Sequence, residues 1–175
     1  GPAVEAAFEA VCACNLTFLS AGDGAALLAR VKLEGARSEA DIVLGLDTNL
    51  TAEAAATGYF APYGMAAPKL DLPVDWADTT FLPYDWGYFA FVHEANLDNV
   101  PDSLKALAES DLKILIQDPR SSTPGLGLLL WVKSAYGDEA PAIWSALADN
   151  VVTVTPGWFE AYGMFLEGEA DMVLS

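Results

Sequence analysis

The chain has 175 residues, 53% of them hydrophobic, with 25 acidic and 8 basic side chains and a formal net charge of −17. That length holds one domain or two small lobes around a real core, and the apolar content excludes a disordered chain. So acidic a surface repels nucleic-acid phosphates and anionic lipid and steers cationic ligands inward, or simply keeps a protein soluble.

In chain order, AVEAAFEAV has helical spacing, with Val4, Ala7, Phe8 and Val11 on one face. NLTFLS reads as a strand and AGDG as a turn. AALLARVKLEG reads as a helix closed by Gly35. ADIVLGL is apolar throughout, the pattern of a strand buried on both faces in a parallel sheet. Asp47 to Asn49 lead into a helix, LTAEAAAT, closed by Gly58. Pro62, Pro68 and Pro73 mark irregular chain from Tyr59 to Asp78. TTFLPYDWGYFAFVHEANL reads as strand, interruption at Pro83, strand, which suits a crossing between two lobes. Then follow a helix (DSLKALAES), a strand (LKILIQ), two helices (LGLLLWVKSAYG and PAIWSALADN), a strand (VVTVT), a helix (WFEAYGMFLEGE) and a strand (DMVLS). The alternation implies a largely parallel α/β sheet on each side of the crossing. The expected division is a partial first lobe over 1–80, a crossing over 81–92 and a second lobe over 93–175.

No apolar run approaches the roughly 18 residues that span a bilayer, so the chain is not expected to cross a membrane. No basic segment opens GPAVEAAFEA, although leaders are removed on export. Cys12 and Cys14 form CAC, a spacing too close for an easy disulfide, so free thiols are expected first and a strained local disulfide second. With a single histidine, His93, the pair makes no four-ligand zinc set, and no metal site is expected.

Chemistry concentrates where strands hand over to helices, since ligands of open α/β sheets bind beyond the carboxyl ends of strands. In QDPRSSTPGLGLLLW, Pro124 suits a first helical position and makes Thr123 the expected N-cap, with Ser121, Ser122 and Thr123 adding hydroxyls. Free N–H groups and the positive helix end there suit an anionic or polar group; the plain alternative is a cap with serines facing water. In AGDG, Asp23 either caps its helix or offers a carboxylate, and Gly24 allows close backbone approach. In PGWFEAYG, Trp158 and Tyr162 lie four residues apart on one helix face, placed to stack on a ligand or to fill the core. Tyr84, Asp85, Trp86 and Tyr88 stand at the crossing. The four loops converge if the two halves face each other.

ADIVLGLDTNL, PYDWGYFAFV, DSLKALAESD, IQDPRSSTPGLGLLLW, VTVTPGW and EAYGMFLEGEADMVLS together resemble the thiamine-binding periplasmic proteins of bacterial ABC transporters, in order and over nearly the whole chain. The resemblance implies a two-lobe class II periplasmic-binding-protein fold, present here as a fragment lacking the first strand and the C-terminal return. It implies an extracytoplasmic, periplasmic solute-binding protein that captures thiamine and its mono- and diphosphates for a membrane permease, with no cofactor, no catalysis and no nucleic-acid partner. It carries substrate contacts to Asp23, Gly24, Ser122, Thr123 and Trp158, with Tyr84, Asp85 and Tyr162 in a second tier. A fragment with an incomplete pocket is expected to bind weakly or not at all and to expose sheet edges. The alternatives are a solute-binding protein for another organic cation or a metal, and a thiaminase-like enzyme with a nucleophilic cysteine.

Overall fold

The apolar run KILIQ yields the central strand. In the computed structural model, which describes residues 2–66 and 69–175, strand β2 (Ile114–Gln117) is buried at every position. Strand β1 is Phe91–His93, β3 is Val151–Thr155 and β4 is Met172–Leu174; the sheet order is β1-β4-β2-β3. β2 pairs in parallel with β3 and with β4, whereas β1 runs antiparallel to β4. The sheet is therefore mixed rather than uniformly parallel. Its three parallel strands send their carboxyl ends to one edge, and every loop leaving that edge belongs to the site described below.

Helices cover both faces. Alternation along β2 puts Ile114 and Ile116 on one side and Leu115 on the other. The first side packs against α4 (Leu104–Ala108), α5 (Thr123–Tyr136) and α6 (Ala140–Leu147) through Leu107, Leu128, Val132, Ile143 and Leu147. The second packs against α7 (Trp158–Leu166) through Ala161 and Phe165. Ser103 caps α4, its Oγ accepting from the Ala106 N–H at 3.1 Å. Buried Asn150 places its Nδ2 2.9–3.1 Å from the carbonyls of Leu107, Ser110 and Leu112, which ties the end of α4 to the turn entering β3.

α5 reaches its place through glycine. A Cβ on Gly125 would lie 2.4 Å from the Gln117 carbonyl oxygen, and one on Gly127 would lie 2.2 Å from the Phe89 ring. The helix start thus rests directly on the backbone that leaves β2.

The first half of the chain differs from the pattern read in its sequence. Helices α1 (Pro2–Cys12), α2 (Gly24–Glu34) and α3 (Thr51–Ala56) form as expected, and Gly35 and Gly58 close α2 and α3 at φ +56° and +70°. NLTFLS and ADIVLGL do not form strands. Neither has a ladder partner among the described residues, and Ile42 is 79% exposed instead of buried on both faces. The first strand expected at TTFLP is likewise irregular, so only Phe91–His93 of that stretch joins the sheet. An apolar, strand-like composition favours extended chain; a strand also needs a neighbour to receive its N–H and C=O groups. Pro68 lies outside the described residues.

Cys12 and Cys14 are bonded to each other, with Cα atoms 5.2 Å apart, contrary to the expectation of free thiols. Ala13 between them adopts φ +53°, a left-handed turn that swings both side chains to the same side. That conformation costs a non-glycine residue about 1–2 kcal/mol and is what the spacing argument did not allow for.

Candidate functional site

The loops after β2 and β3, with Ser175 just beyond β4, meet the loop before α2 at one edge of the sheet. Asp23 precedes α2, and its backbone takes the N-cap position, but its side chain makes no cap hydrogen bond. The carboxylate turns away instead. Its Oδ2 accepts from Ser122 Oγ at 2.5 Å and from the Trp158 backbone N–H at 2.9 Å. Asp23 thus serves the first turn of α7, 135 residues away, where a carboxylate is favoured by free N–H groups and the helix dipole. Gly157 makes the approach possible: a Cβ there would lie 3.3 Å from Asp23 Oδ1.

Ser122, not Thr123, occupies the N-cap position of α5 and is buried. Neither Ser122 nor Thr123 spends its hydroxyl on the helix. Thr123 Oγ1 donates to Asp47 Oδ2 at 2.6 Å, and Ser121 Oγ donates to the Pro156 carbonyl at 2.5 Å. Thr123 Oγ1 is also wedged against Gly24, where a Cβ would stand 2.9 Å from it. Capping and solvation, the plain alternatives for these hydroxyls, are therefore not what the structure shows; they bridge between segments.

Trp158 opens α7 half-buried, with its indole Nε1 donating to Ser175 Oγ at 3.1 Å. Tyr162 stacks on it with ring centroids 4.7 Å apart and planes 25° apart. Tyr162 therefore backs one face of the indole. Ser175 is itself held by paired backbone hydrogen bonds with Ala90, at 2.9 and 2.8 Å.

The loop Asp118–Ser122 is a closed turn. Ser121 and Ser122 N–H groups donate to the Asp118 carbonyl, and Arg120 grips the Asp118 carboxylate through Nε, a terminal guanidinium nitrogen and its own backbone N–H. The side-chain hydrogen bond from Arg120, with its backbone N–H next, holds the Asp118 carboxyl down at about 2. Arg120 is thus the partner of its own loop.

All five residues anticipated from sequence (Asp23, Gly24, Ser122, Thr123 and Trp158) come together. Tyr84 and Asp85 do not join them: both are exposed and make no hydrogen bond to this cluster among the described residues. Asp47 and Ser175 were missed. Asp47 ends the apolar run ADIVLGL just as Asp23 follows NLTFLS, and that parallel was the available signal; Ser175 carried none. No group of three or more metal-ligating side chains occurs among the described residues, and no helix is long and apolar enough to cross a membrane.

No family model matches the chain. It is 57% identical over 178 residues to a thiamine-binding periplasmic protein of Brucella abortus, a match covering all of this chain and 53% of that protein. It is 55% identical to the thiamine-binding periplasmic protein of Escherichia coli K12, covering 54% of it. This chain is similar to thiamine-binding periplasmic proteins over its whole length. A solved structure described as a periplasmic thiamin binding protein superposes with a TM-score of 0.93 at 53% identity, over all of this chain and 56% of that one. The chain thus shares its α/β fold with the matched part of that solved structure, and it spans about half the length of the proteins it matches.

Proposed function

We propose that this chain is the ligand-gripping portion of a periplasmic solute-binding protein that captures thiamine, and thiamine phosphates, for import through an ABC-transporter permease. The observation that carries the reading is the meeting of Asp23 with Ser122 and the first N–H of Trp158, because it sets a carboxylate, hydroxyls and an aromatic face around one point. Thiamine is a ring cation with a polar tail. Its thiazolium suits the face of Trp158 that Tyr162 does not back, where a cation gains about 0.5–2 kcal/mol. Asp23 compensates the positive charge; both its hydrogen bonds in this cluster run to Oδ2, which leaves Oδ1 for the ligand. A hydroxyethyl tail can donate to the Ser122 and Thr123 oxygens, whose own protons go to Asp23 and Asp47, and a phosphate tail suits the first-turn N–H groups of α5.

The two-lobe class II arrangement is part of the same proposal. Residues 1–80 supply one wall, 81–92 the crossing and 93–175 the other wall. A thiaminase-like reaction requires a thiolate nucleophile; both cysteines are tied to each other, and at the far end of α1 they are not part of the cluster. Binding without chemistry is favoured.

Tryptophan fluorescence tests the reading. A version extended to the relatives' length is titrated with thiamine, and the vitamin is recovered and assayed. Saturable change with intact thiamine supports capture. No saturable change, or turnover of the vitamin, overturns it.

A further inference from the structure

We propose that Asp47 is a positioning residue of this site, which fixes the Thr123 hydroxyl and so registers the start of α5 against the segment that carries Asp23. The inference rests on the thiamine-binding reading and adds to it a residue that makes no contact assigned there.

Asp47 is held from its own side before it reaches across. Its Oδ1 accepts from the Asn49 N–H at 2.8 Å, and its carbonyl accepts from the Leu50 N–H at 3.0 Å, closing the turn that enters α3. This leaves Oδ2 aimed outward, and it takes the Thr123 hydroxyl at 2.6 Å from 76 residues away. The hydroxyl is confined on a second side. A Cβ on Gly24 would stand 2.9 Å from Thr123 Oγ1, 3.0 Å from the Gly45 carbonyl oxygen and 3.0 Å from Leu50. Gly24 therefore does two things at once: it admits the threonine and keeps the 45–50 turn close enough for Asp47 to reach it.

The pair of carboxylates acts in parallel. Asp23 registers the first segment on α7 through Trp158 N–H and on Ser122, and Asp47 registers it on α5 through Thr123. A hydrogen bond to a charged group is worth more than a neutral one, and its loss leaves a half-buried acceptor unpaired. With its proton committed to Asp47, Thr123 Oγ1 presents lone pairs to a ligand, so the adjoining ligand atom is a donor such as a hydroxyl or amine hydrogen.

The test is a double-mutant cycle of Asp47→Asn and Thr123→Val, with Thr123→Ser as the conservative variant, read as thiamine dissociation constants in the extended protein. Each of Asp47→Asn and Thr123→Val is expected to weaken binding about tenfold, and the double variant little more than the worse single. Thr123→Ser keeps the hydroxyl and is expected to restore the sensitivity to Asp47→Asn. Losses that multiply, an Asp47→Asn with unchanged affinity, or a Thr123→Ser that behaves like the valine would overturn the proposal. The same cycle in thermal unfolding without ligand separates the two claims. If the parent protein fails to bind thiamine, the functional reading falls, and the unfolding cycle still decides Asp47: non-additive changes support the registering contact and additive ones overturn it.

Discussion

Asp118 and Arg120 set the shape of the loop that starts α5, and their chemistry fixes its pH range. The Asp118 carboxyl is held at about 2, below the ordinary aspartate value, chiefly by the side-chain hydrogen bond from Arg120. A carboxyl whose folded pKa is depressed adds stability above its unfolded pKa and loses it as pH falls through the folded one. The loop is therefore intact at neutral and mildly acidic pH and loosens only from about pH 4 downward to about 2. NMR titration of the Asp118 side chain checks this, with a midpoint near 2 that moves up into the ordinary carboxylate range in Arg120→Ala. Trp158 is the other decisive side chain. Trp158→Ala removes the ring we propose to face the thiazolium, together with the Ser175 contact, and we expect at least tenfold weaker thiamine binding by calorimetry, with Trp158→Phe intermediate. The five ligand-site candidates were legible because each sits beside a turn or a helix start in the sequence. Asp47 was not, because its role depends on a partner 76 residues away.

At the scale of elements, α5 and α7 are set by close approach at small residues. Gly125 meets the backbone leaving β2, and backbone cannot yield as a flexible side chain does. Gly125→Ala is expected to destabilise the fold by about 1–3 kcal/mol in chemical denaturation, despite alanine's better helix propensity. Gly24→Ala is expected to fold but to bind thiamine more weakly, since its methyl would push Thr123 away from Asp47. The helices and the strands β2, β3 and β4 were legible from apolar period, a helix-starting proline and closing glycines, all of them local signals. NLTFLS, ADIVLGL and TTFLP were misread for one reason: an apolar, strand-like composition marks at most an extended segment, and pairing is a property of two segments. The Cys12–Cys14 bond was misjudged because the left-handed turn at Ala13 is invisible in a sequence.

The molecule as a whole divides by packing. Nearly all of its buried apolar residues lie between Leu104 and Leu174, on the two faces of one sheet, whereas α1 buries none and Phe18, Leu19, Ile42 and Leu44 are exposed. In the 175-residue chain on its own, amide hydrogen exchange should follow this division, fast over 15–20 and 41–46 and slow over 114–117 and 151–155. What joins the parts at the site is a small set of long-range hydrogen bonds from Asp23 and Asp47 to the starts of α5 and α7. The central claim is that those contacts frame a thiamine site. The most direct measurement is tryptophan fluorescence of the extended protein against thiamine, with Asp23→Asn alongside. The account predicts a saturable change in the parent protein and affinity at least tenfold weaker in Asp23→Asn. A parent protein that shows no saturation, or an Asp23→Asn variant that binds as tightly as the parent, would contradict it.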